Sequence, residues 1–399
     1  MFPFAMNGQT LTHLLLPDDN NCQAIHHDPV SNTLWVTAGN NVGVLYRQNG
    51  NTWDMFDSSD GDLPAFRMES LATDSQGDLW IGNKAAGLTR YDGATFTTFT
   101  QSNSGLASDA ILDVAIDPED RVWLGLGNGA GLARYDQPLW LANGDWPDPD
   151  LFGKNVAGLA IDRLDPTRIW LACFDGLRLL STDTILHWTL WEQGMPDDHL
   201  SGVAQESNGR IWMSLYNGGS TGYGLASFFQ GQWISYTESN SDIPDDIVYD
   251  VFVDSQDRVW AATQSGIGLL DNGSWTVWNN TNSDLVTNII RDFTEDAAGN
   301  IWATTNYGLA RIDGLTDLEN YFWSPSWMTL DQNPVRQEIS LTLDGSISSQ
   351  VYLVDIRGQV LNAWTLAPGS HRLSCQGRAS GVYWLMSPGR PPISVVIHP

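Results

Sequence analysis

The sequence predicts an all-β chain, made of a seven-bladed β-propeller followed by a small C-terminal Ig-like β-sandwich. The main observation is a motif of the general form Asp-x-x-Gly-x-apolar-Trp, which returns seven times at steps of 42 to 48 residues, with looser copies at Trp35 and Trp170. Short apolar runs around each motif alternate with turn residues, as antiparallel strands joined by hairpins do. No helical periodicity continues over about 11 residues or more. The motif tryptophans are Trp35, Trp80, Trp123, Trp170, Trp212, Trp260 and Trp302.

Each motif belongs to a unit of four strands. In the second unit the apolar runs cover residues 68–72, 79–82, 87–91 and 95–99. Asp74 can accept hydrogen bonds from backbone N–H groups two residues on, and Gly77 can adopt a positive φ. One such blade cannot bury both of its faces alone, so neighbouring blades must cover them. We therefore expect each motif tryptophan to fill the core between two blades.

The two ends of the repeat region are complementary. Residues 9–16 resemble the fourth strand of a blade, whereas no clear fourth strand follows the seventh unit after Asp313. We expect the N-terminal strand to complete the seventh blade, which removes the open edges of the ring. An alternative is that residues 319–323 supply the missing strand.

The repeat stops near Ser324, so we assign residues 1–324 to the propeller and residues 325–399 to the C-terminal β-sandwich. The charge changes at the same point, because residues 325–399 hold four acidic residues and five arginines. Six short alternating strands with Gly and Pro turns are predicted there, which is typical of a small sandwich.

The composition excludes some classes of partner. The formal charge is -28, from 47 acidic and 19 basic residues, and Lys84 and Lys154 are the only lysines. Nucleic acids and anionic membranes need clustered basic residues, so we expect neither as a partner. No apolar run of about 18 residues is present, so no membrane-spanning helix is predicted. The acidity suits an extracellular setting.

The three cysteines, Cys22, Cys173 and Cys375, show neither metal-ligand spacing nor a disulfide framework, and we expect them to be small buried residues. The first residues show no signal-peptide pattern; whether a signal peptide precedes residue 1 is left open.

The repeat resembles the two-component-regulator propeller repeat, through runs such as DSQGDLWIGN and GLTRYDG in the second unit. The resemblance is good around Trp80, Trp123, Trp260 and Trp302 and poor around Trp35 and Trp170. It implies a seven-bladed sensor-type propeller, usually found in extracytoplasmic parts of signalling chains. A sensor-kinase role is not implied, because the sequence contains no kinase segment.

The tail resembles a type IX secretion C-terminal sorting domain over about 70 residues. The segments that carry the resemblance are residues 332–335 (QNPV), 351–360 (VYLVDIRGQV), 368–373 (PGSHRL) and 379–385 (ASGVYWL). The resemblance implies a secreted or cell-surface protein of the Bacteroidetes type, exported by the type IX secretion machinery. From the residues alone, the tail can equally be an adhesive module.

A ligand site is expected where the first strands of the blades enter the central channel. Positions are counted from the acidic residue that opens each motif, here called the motif acid: Asp28, Asp74, Asp117, Asp162, Glu206, Asp254 and Asp296. Position −6 is apolar in every unit, so we expect it in the core: Cys22, Met68, Ile111, Val156, Leu200, Val248 and Ile290. Position −5 varies freely: Gln23, Glu69, Leu112, Ala157, Ser201, Tyr249 and Arg291.

We predict that Glu69, Tyr249 and Arg291 from position −5 line a polar pocket, together with Arg67 and His199 from position −7. The alternative is that these side chains only solvate the channel mouth. Two insertions supply aromatic residues that we expect to be exposed and able to stack on sugar rings. These residues are Trp140, Trp146 and Tyr223.

Acidic residues recur near the expected site, and oxygen-rich loops can hold Ca²⁺. No EF-hand-like spacing is present, so solvated loops are the simpler interpretation, and no other cofactor is predicted. The residues concerned are Asp18, Asp19, Asp113, Asp197, Asp198, Asp245, Asp246, Asp250 and Asp292. The histidines form neither HxxxH nor HExxH, and the sequence contains no phosphate loop.

The sequence favours a secreted or cell-surface binding protein whose propeller recognises a glycan or another surface ligand at its axial face. One alternative is a propeller lyase acting on an acidic polysaccharide, with His199, Tyr249 and Arg291 as base, acid and carboxylate clamp. Another is a structural partner in the secretion or adhesion machinery. The expected location is extracellular or on the outer-membrane surface. The ligand and the oligomeric state are not predicted.

Overall fold

The structure is a computed structural model, and its described secondary structure is almost entirely β-strand. The chain divides into two compact units, Met1–Thr316 and Asp317–Pro399. The residues that the structure describes are 5–6, 9–17, 21–39, 42–61, 63–142, 145–146, 151, 153–181, 184–190, 195–216, 218–219, 221–313, 328–330, 338–343, 349–354, 360–376, 378, 381–387 and 390–397.

The first unit contains seven antiparallel sheets, the blades, and six of them are each formed by four consecutive strands. The N-terminal strands are β1 (Ala5–Met6) and β2 (Gln9–Leu14). Blade 1 contains β3 (Cys22–Asp28), β4 (Thr33–Ala38), β5 (Val44–Asn49) and β6 (Thr52–Phe56). Blade 2 contains β7 (Met68–Thr73), β8 (Leu79–Asn83), β9 (Leu88–Tyr91) and β10 (Phe96–Phe99). Blade 3 contains β11 (Ile111–Ile116), β12 (Val122–Leu126), β13 (Gly131–Asp136) and β14 (Leu139–Leu141).

The same pattern continues around the ring. Blade 4 contains β15 (Val156–Ile161), β16 (Ile169–Cys173), β17 (Gly176–Leu180) and β18 (Ile185–Trp188). Blade 5 contains β19 (Leu200–Gln205), β20 (Ile211–Tyr216), β21 (Gly222–Phe229) and β22 (Gln232–Tyr236). Blade 6 contains β23 (Val248–Val253), β24 (Val259–Thr263), β25 (Ile267–Asp271) and β26 (Ser274–Trp278). Blade 7 contains β27 (Ile290–Glu295), β28 (Ile301–Thr305) and β29 (Gly308–Asp313).

The seventh blade is completed by the N-terminal strand, as the sequence predicted. β2 pairs antiparallel with β29, and Leu11 lies opposite Ile312 in the register. The sheet order β1-β2-β29-β28-β27 therefore joins the beginning of the unit to its end. The alternative closing segment, residues 319–323, lies outside the described residues.

The first strands of the blades form the inner wall of the ring. Each contacts the first strands of both neighbouring blades, and β27 contacts β3 to close the circle. Every one of these strands has an irregular register just after position −6, such as the shift between Met68 and Ser70. A bulge of this kind re-aims the extra residue, here position −5. All seven residues at position −6 are at most 1 % exposed, which confirms the predicted core position.

The motif tryptophans lie between blades, as predicted. All seven are at most 7 % exposed. Trp212 of blade 5, for example, belongs to a buried cluster with Val248 and Val251 of blade 6. This arrangement explains the strict recurrence of the motif, because each tryptophan fills an equivalent space.

Two aromatic residues that we expected to be exposed are packed instead. Trp140 contacts Tyr135 at a ring-centroid distance of 4.6 Å, and Trp146 stacks on Trp123 at 5.4 Å. The Nε1 of Trp146 also donates to the carbonyl oxygen of Leu132. Both tryptophans are therefore half-buried and not fully exposed, and Trp140 belongs to the fourth strand of blade 3. Their stacking on sugar rings stays a prediction.

The second unit contains two antiparallel sheets, ordered β30-β31-β34 and β33-β32-β35-β36. Buried residues of both sheets, such as Leu341 and Leu353, form one core cluster. The Ig-like arrangement stays a prediction. The strands are β30 (Met328–Leu330), β31 (Glu338–Leu343), β32 (Ser349–Val354), β33 (Val360–Leu366), β34 (Gly369–Ser374), β35 (Gly381–Ser387) and β36 (Arg390–Ile397).

All three cysteines are buried, as expected from their isolated positions in the sequence. Among the described residues, no helix combines the length and the apolar character needed to cross a membrane.

Candidate ligand site at one mouth of the ring

One end of the ring gathers side chains from three sequence positions in each blade. The residue four after the motif tryptophan donates its backbone N–H to the carbonyl of position −7. Lys84 donates to Arg67 at 2.9 Å in this way, and Tyr216 donates to His199 at 3.0 Å. Position −5 follows two residues later on the bulge. Each blade therefore presents up to three variable side chains at the same axial mouth.

The centre of the site is an arginine between blades 7 and 6. The guanidinium carbon of Arg291 lies 5.2 Å from the centroid of the Tyr249 ring, which is a cation–π contact. Tyr249 in turn meets the ring of Tyr216 edge to face, at 5.2 Å between centroids and 87° between planes. The Tyr249 hydroxyl donates to Oε1 of Gln264 at 3.3 Å. Two aromatic rings and an arginine therefore share one wall of the mouth.

Blade 2 contributes a second arginine. Arg67 donates to Oε2 of Glu69 through Nε at 3.0 Å and lies 2.8 Å from it through Nη2. The Nζ of Lys84 lies 3.8 Å from Oε1 of the same carboxylate. Three cations and one carboxylate therefore meet at this mouth once Arg291 is included. These basic residues are grouped in a chain that is strongly acidic overall, and the carboxylate of Asp245 also acts on Tyr249.

The electrostatics join the two halves of the site. Burial lowers the pKa of Arg291, and the charge of Arg67 lowers it further, while Tyr249 and Glu69 act in the opposite direction. The charges of Arg67 and Glu69 in blade 2 therefore act on Arg291 in blade 7, although blade 1 lies between these two blades. Burial also raises the pKa of Tyr249, with Tyr216 adding to the shift. Tyr249 is therefore protonated at neutral pH and acts as a hydrogen-bond donor.

Two polar atoms at this mouth are buried without a hydrogen-bond partner in the described part of the chain. They are the Nε of Arg291 and the Oε1 of Gln23. Gln23 occupies position −5 of blade 1, is 5 % exposed, and uses its Nε2 to donate to the carbonyl of Asn21 at 3.2 Å. Since buried polar groups are nearly always paired, these two atoms call for an explanation.

His199 is beside the cluster rather than in it. Its Nδ1 lies 3.3 Å from Asp197 and 3.1 Å from Asp198, and its ring is 6.5 Å from the ring of Phe174 in blade 4. The described residues give no contact of its imidazole with Tyr249 or Arg291. The ligand atoms of Asp197, Asp198 and His199 lie within 4.8 Å of one another, so they are able to share a cation. Calcium at this group stays a prediction.

Tyr223 is 40 % exposed at the beginning of the third strand of blade 5. Its neighbour Gly222 pairs with Tyr216 in the sheet register. Over the described residues, no hydrogen bond or ring contact joins the Tyr223 side chain to Tyr249 or Arg291. The structure thus brings together Arg67, Glu69, Tyr249 and Arg291, with His199 and Tyr223 on the periphery.

Tyr216, Lys84 and Gln264 were not among the predicted site residues. Their position carried a signal, because the residue four after each motif tryptophan follows a run of apolar and small polar residues and then varies widely in size and charge. The full set is Gly39, Lys84, Gly127, Phe174, Tyr216, Gln264 and Asn306.

Three acidic residues assigned to solvated loops are instead inside the ring wall. They occupy position −4, one residue beyond the bulge, where the other blades have Ala, Ser or Gly. Oδ1 of Asp113 accepts from the Ser70 hydroxyl of blade 2 at 2.7 Å, and its Oδ2 accepts from the Leu159 N–H of blade 4 at 2.8 Å. Burial raises the pKa of Asp113 to about 6. The solvated-loop interpretation was wrong here, because these carboxylates tie adjacent blades together.

The other two, Asp250 and Asp292, hydrogen-bond to each other. Oδ2 of Asp292 accepts from the Ile25 N–H of blade 1 at 2.8 Å. Burial raises the pKa of Asp292 to about 7, and burial together with the charge of Asp292 raises the pKa of Asp250. The pair therefore shares a proton at neutral pH.

A cavity of about 410 Å³ lies elsewhere, among the motif turns at the other end of blades 2 to 4. Polar groups that line it already form hydrogen bonds within the protein. Asp120, for instance, accepts the backbone N–H of Ser75 at 2.8 Å and the Ser75 hydroxyl at 2.5 Å. The described contacts give this cavity a role in holding blades together. Its lining is Thr73, Ser75, Ile116, Asp117, Pro118, Asp120, Ile161, Asp162, Arg163 and Pro166.

The chain is similar to several solved propellers. PorZ, an essential bacterial surface component of the type-IX secretion system of Porphyromonas gingivalis, is 17 % identical with a TM-score of 0.59. That similarity covers 96 % of this chain and 60 % of PorZ, so this chain spans well under two thirds of PorZ. Virginiamycin B lyase from Staphylococcus aureus is 12 % identical with a TM-score of 0.61, over 77 % of this chain and 100 % of the lyase.

The extracellular domain of the hybrid two-component system BT3049 from B. thetaiotaomicron is 13 % identical, over 95 % of this chain and 68 % of that domain. Its TM-score of 0.39 is too low to support an argument. No protein-family profile matches the sequence, and no curated protein matches it. At these identities the similarities establish the propeller fold and nothing finer.

Proposed function

We propose that this chain is a secreted or cell-surface binding protein, and that its propeller binds an acidic glycan or another anionic surface ligand at the mouth containing Arg291. The observation that carries the proposal is the environment of this arginine. Its guanidinium lies over Tyr249, its Nε is buried without a partner, and its pKa is lowered by burial and by Arg67. An arriving anion relieves both the unpaired donor and the repulsion between the arginines.

The aromatic rings favour a sugar as the body of that ligand. Tyr216 and Tyr249 meet at a right angle and offer an apolar surface beside the cations. A sugar ring presents C–H groups on one face, and aromatic side chains commonly cover such faces. A group of basic residues on an acidic chain also directs an anion to this mouth, since the remaining surface repels it.

The proposed location rests on the C-terminal unit. We propose that residues 325–399 form an Ig-like sandwich that acts as a type IX sorting domain, with the secretion machinery as its partner. The motif resemblance supports this, as does the similarity of the chain to PorZ, which is described as a surface component of that system. A structural role in the machinery is the alternative that a ligand-binding experiment must separate.

A lyase receives less support from the geometry. Its base would be His199, but that imidazole faces Asp197 and Asp198. Tyr249 holds its proton more tightly than an ordinary tyrosine, which suits donation better than proton abstraction. Incubation with acidic polysaccharides and an absorbance assay for unsaturated products tests this alternative directly.

The binding proposal is tested by applying the full chain to an array of acidic and neutral glycans. Acidic glycans should bind, and the double variant Arg291→Gln, Tyr249→Leu should bind them at least about tenfold more weakly. The matched control is Arg311→Gln, which removes an arginine that lies 5.4 Å from the Trp302 ring, outside the site. A folded protein that binds no array member, or a double variant that binds like the control, would refute the proposal.

A further inference from the structure

Two buried polar atoms at the mouth lack a hydrogen-bond partner in the described part of the chain, one of them a donor and the other an acceptor. The Nε–H of Arg291 has nothing to donate to, and Oε1 of Gln23 has nothing to accept from, among the described residues. Both residues occupy position −5, on the neighbouring blades 7 and 1. Leaving such groups buried and unpaired is costly, and a bound ligand is one way to complete them.

The two side chains lie on the same part of the mouth. Blades 7 and 1 are joined here through the Ile25 N–H and Asp292, two and one residues beyond the bulge positions. The first strands of these two blades, β27 and β3, contact each other. The donor and the acceptor therefore come from neighbouring bulges of the ring wall, and no hydrogen bond joins them in the described part of the chain.

We infer that the axial ligand is a sugar acid of the uronic type, whose carboxylate binds side-on to Arg291 while an adjacent hydroxyl donates to Oε1 of Gln23. This deepens the proposed function and rests on it. An arginine with a free Nε–H offers two parallel donors, Nε–H and one Nη–H, which match the two oxygens of a carboxylate. Gln23 is then a specificity-determining residue, because its Oε1 accepts a hydrogen bond from a hydroxyl group that a simple inorganic anion does not have.

The charge around the pair separates this class from neutral sugars. Arg67 and Lys84 already engage the carboxylate of Glu69, whereas Arg291 forms no ion pair in the described part of the chain. A neutral sugar can satisfy Gln23 but leaves the positive charge of Arg291 uncompensated. A uronic acid satisfies the donor, the acceptor and the charge together.

The test uses isothermal titration of the full chain with three probes: methyl glucuronide, methyl glucoside and glucose 6-sulfate. Methyl glucuronide should bind at least about tenfold more tightly than each of the other two. Equal binding of the glucoside overturns the inference while leaving a sugar-binding function in place. Equal binding of the sulfate overturns the carboxylate assignment. No binding of any probe, acidic or neutral, to the folded chain removes the inference together with the proposed function for this sugar class.

Variants test the two atoms separately. Gln23→Met keeps the shape of the side chain and removes the acceptor, so affinity for methyl glucuronide should fall about tenfold. Arg291→Lys keeps the charge and removes the side-on pair of donors, with an expected loss of about tenfold or more. Gln76→Ala, which is exposed among the motif turns at the other end of blade 2, is the matched control and should bind normally. If Gln23→Met binds like this control, ordinary water fills the place of the hydroxyl and the inference is wrong.

Discussion

The indole Nε1 of Trp80 donates a hydrogen bond of 2.9 Å to Oδ2 of Asp74, six residues earlier. The other carboxylate oxygen of Asp74 accepts the backbone N–H groups of Gln76 and Asp78. One side chain therefore shapes the turn and fixes the tryptophan that fills the space between blades. Four further motifs make the same bond at the same spacing: Asp117 to Trp123, Glu206 to Trp212, Asp254 to Trp260 and Asp296 to Trp302.

The two looser motifs differ at this bond. Asp162 and Trp170 are eight residues apart, and the Trp170 Nε1 is buried without a partner in the described part of the chain. Trp80→Phe should therefore lower the free energy of unfolding by about 1 to 2 kcal/mol more than Trp170→Phe, since both lose similar volume but only the first breaks a bond. Urea denaturation followed by fluorescence measures both. Equal losses for the two variants would contradict this account of the motif.

Most of the fold was predictable because it is encoded locally and repeatedly. Position −6, the motif tryptophans and the closing strand were each read from a pattern that recurs every 42 to 48 residues, and the structure confirms them. A recurring residue has an equivalent packing environment in every blade. The seven repeats of one sequence therefore show seven times which residue types that environment accepts.

The site was less predictable because its contacts cross between blades. Tyr216 belongs to blade 5 yet completes the environment of Tyr249 in blade 6. The burial of Asp113, Asp250 and Asp292 depends on the bulge, which shifts the register by one residue. Position −4 then lies inside the ring wall. Single occurrences such as Trp140 have no second copy to compare, so their packing against neighbouring rings was not predicted.

Asp120 and Ser75 form a second link between blades, at the motif turns, and variants of Asp120 test the backbone strain at this residue. Asp120 has φ 60°, a left-handed conformation that glycine adopts at the equivalent Gly77, and its carboxylate accepts two hydrogen bonds from Ser75. Asp120→Gly loses the link but relieves the strain, whereas Asp120→Ala loses the link and keeps it. Asp120→Ala should be less stable than Asp120→Gly by about 1 kcal/mol in urea denaturation. Equal stability of the two would show that the left-handed turn is not strained.

Closure of the ring gives a further prediction. Leu11 on the closing strand is 1 % exposed and belongs to a core cluster with Trp260, Phe293 and Ile312. Leu11→Ala should lower the free energy of unfolding by about 2 to 5 kcal/mol, because it leaves a cavity at the point where the chain joins its own end. Leu15→Ala is the matched control, since Leu15 is 57 % exposed just beyond the same strand. A thermal melt that shifts equally for both variants would mean that the strand is not needed for closure.

The acid pair between blades 6 and 7 predicts a pH dependence of stability. The pKa of Asp292 is raised from 3.8 to about 7, so the folded chain holds the shared proton more tightly than the unfolded chain between those values. The resulting stability is present at low pH and is lost as pH rises through about 7. His26 acts oppositely, because burial lowers its pKa to about 4 and its contribution to stability is lost as pH falls below 6.5.

The comparison with Asp250→Asn isolates the contribution of the acid pair, since the amide donates to Asp292 at every pH. Between pH 5 and 8 this variant should gain about 1 to 3 kcal/mol in unfolding free energy relative to the wild type. Urea denaturation across the range, with exposed Asp242→Asn as a control that follows the wild type, measures the difference; a constant difference would show that the pair shares no proton.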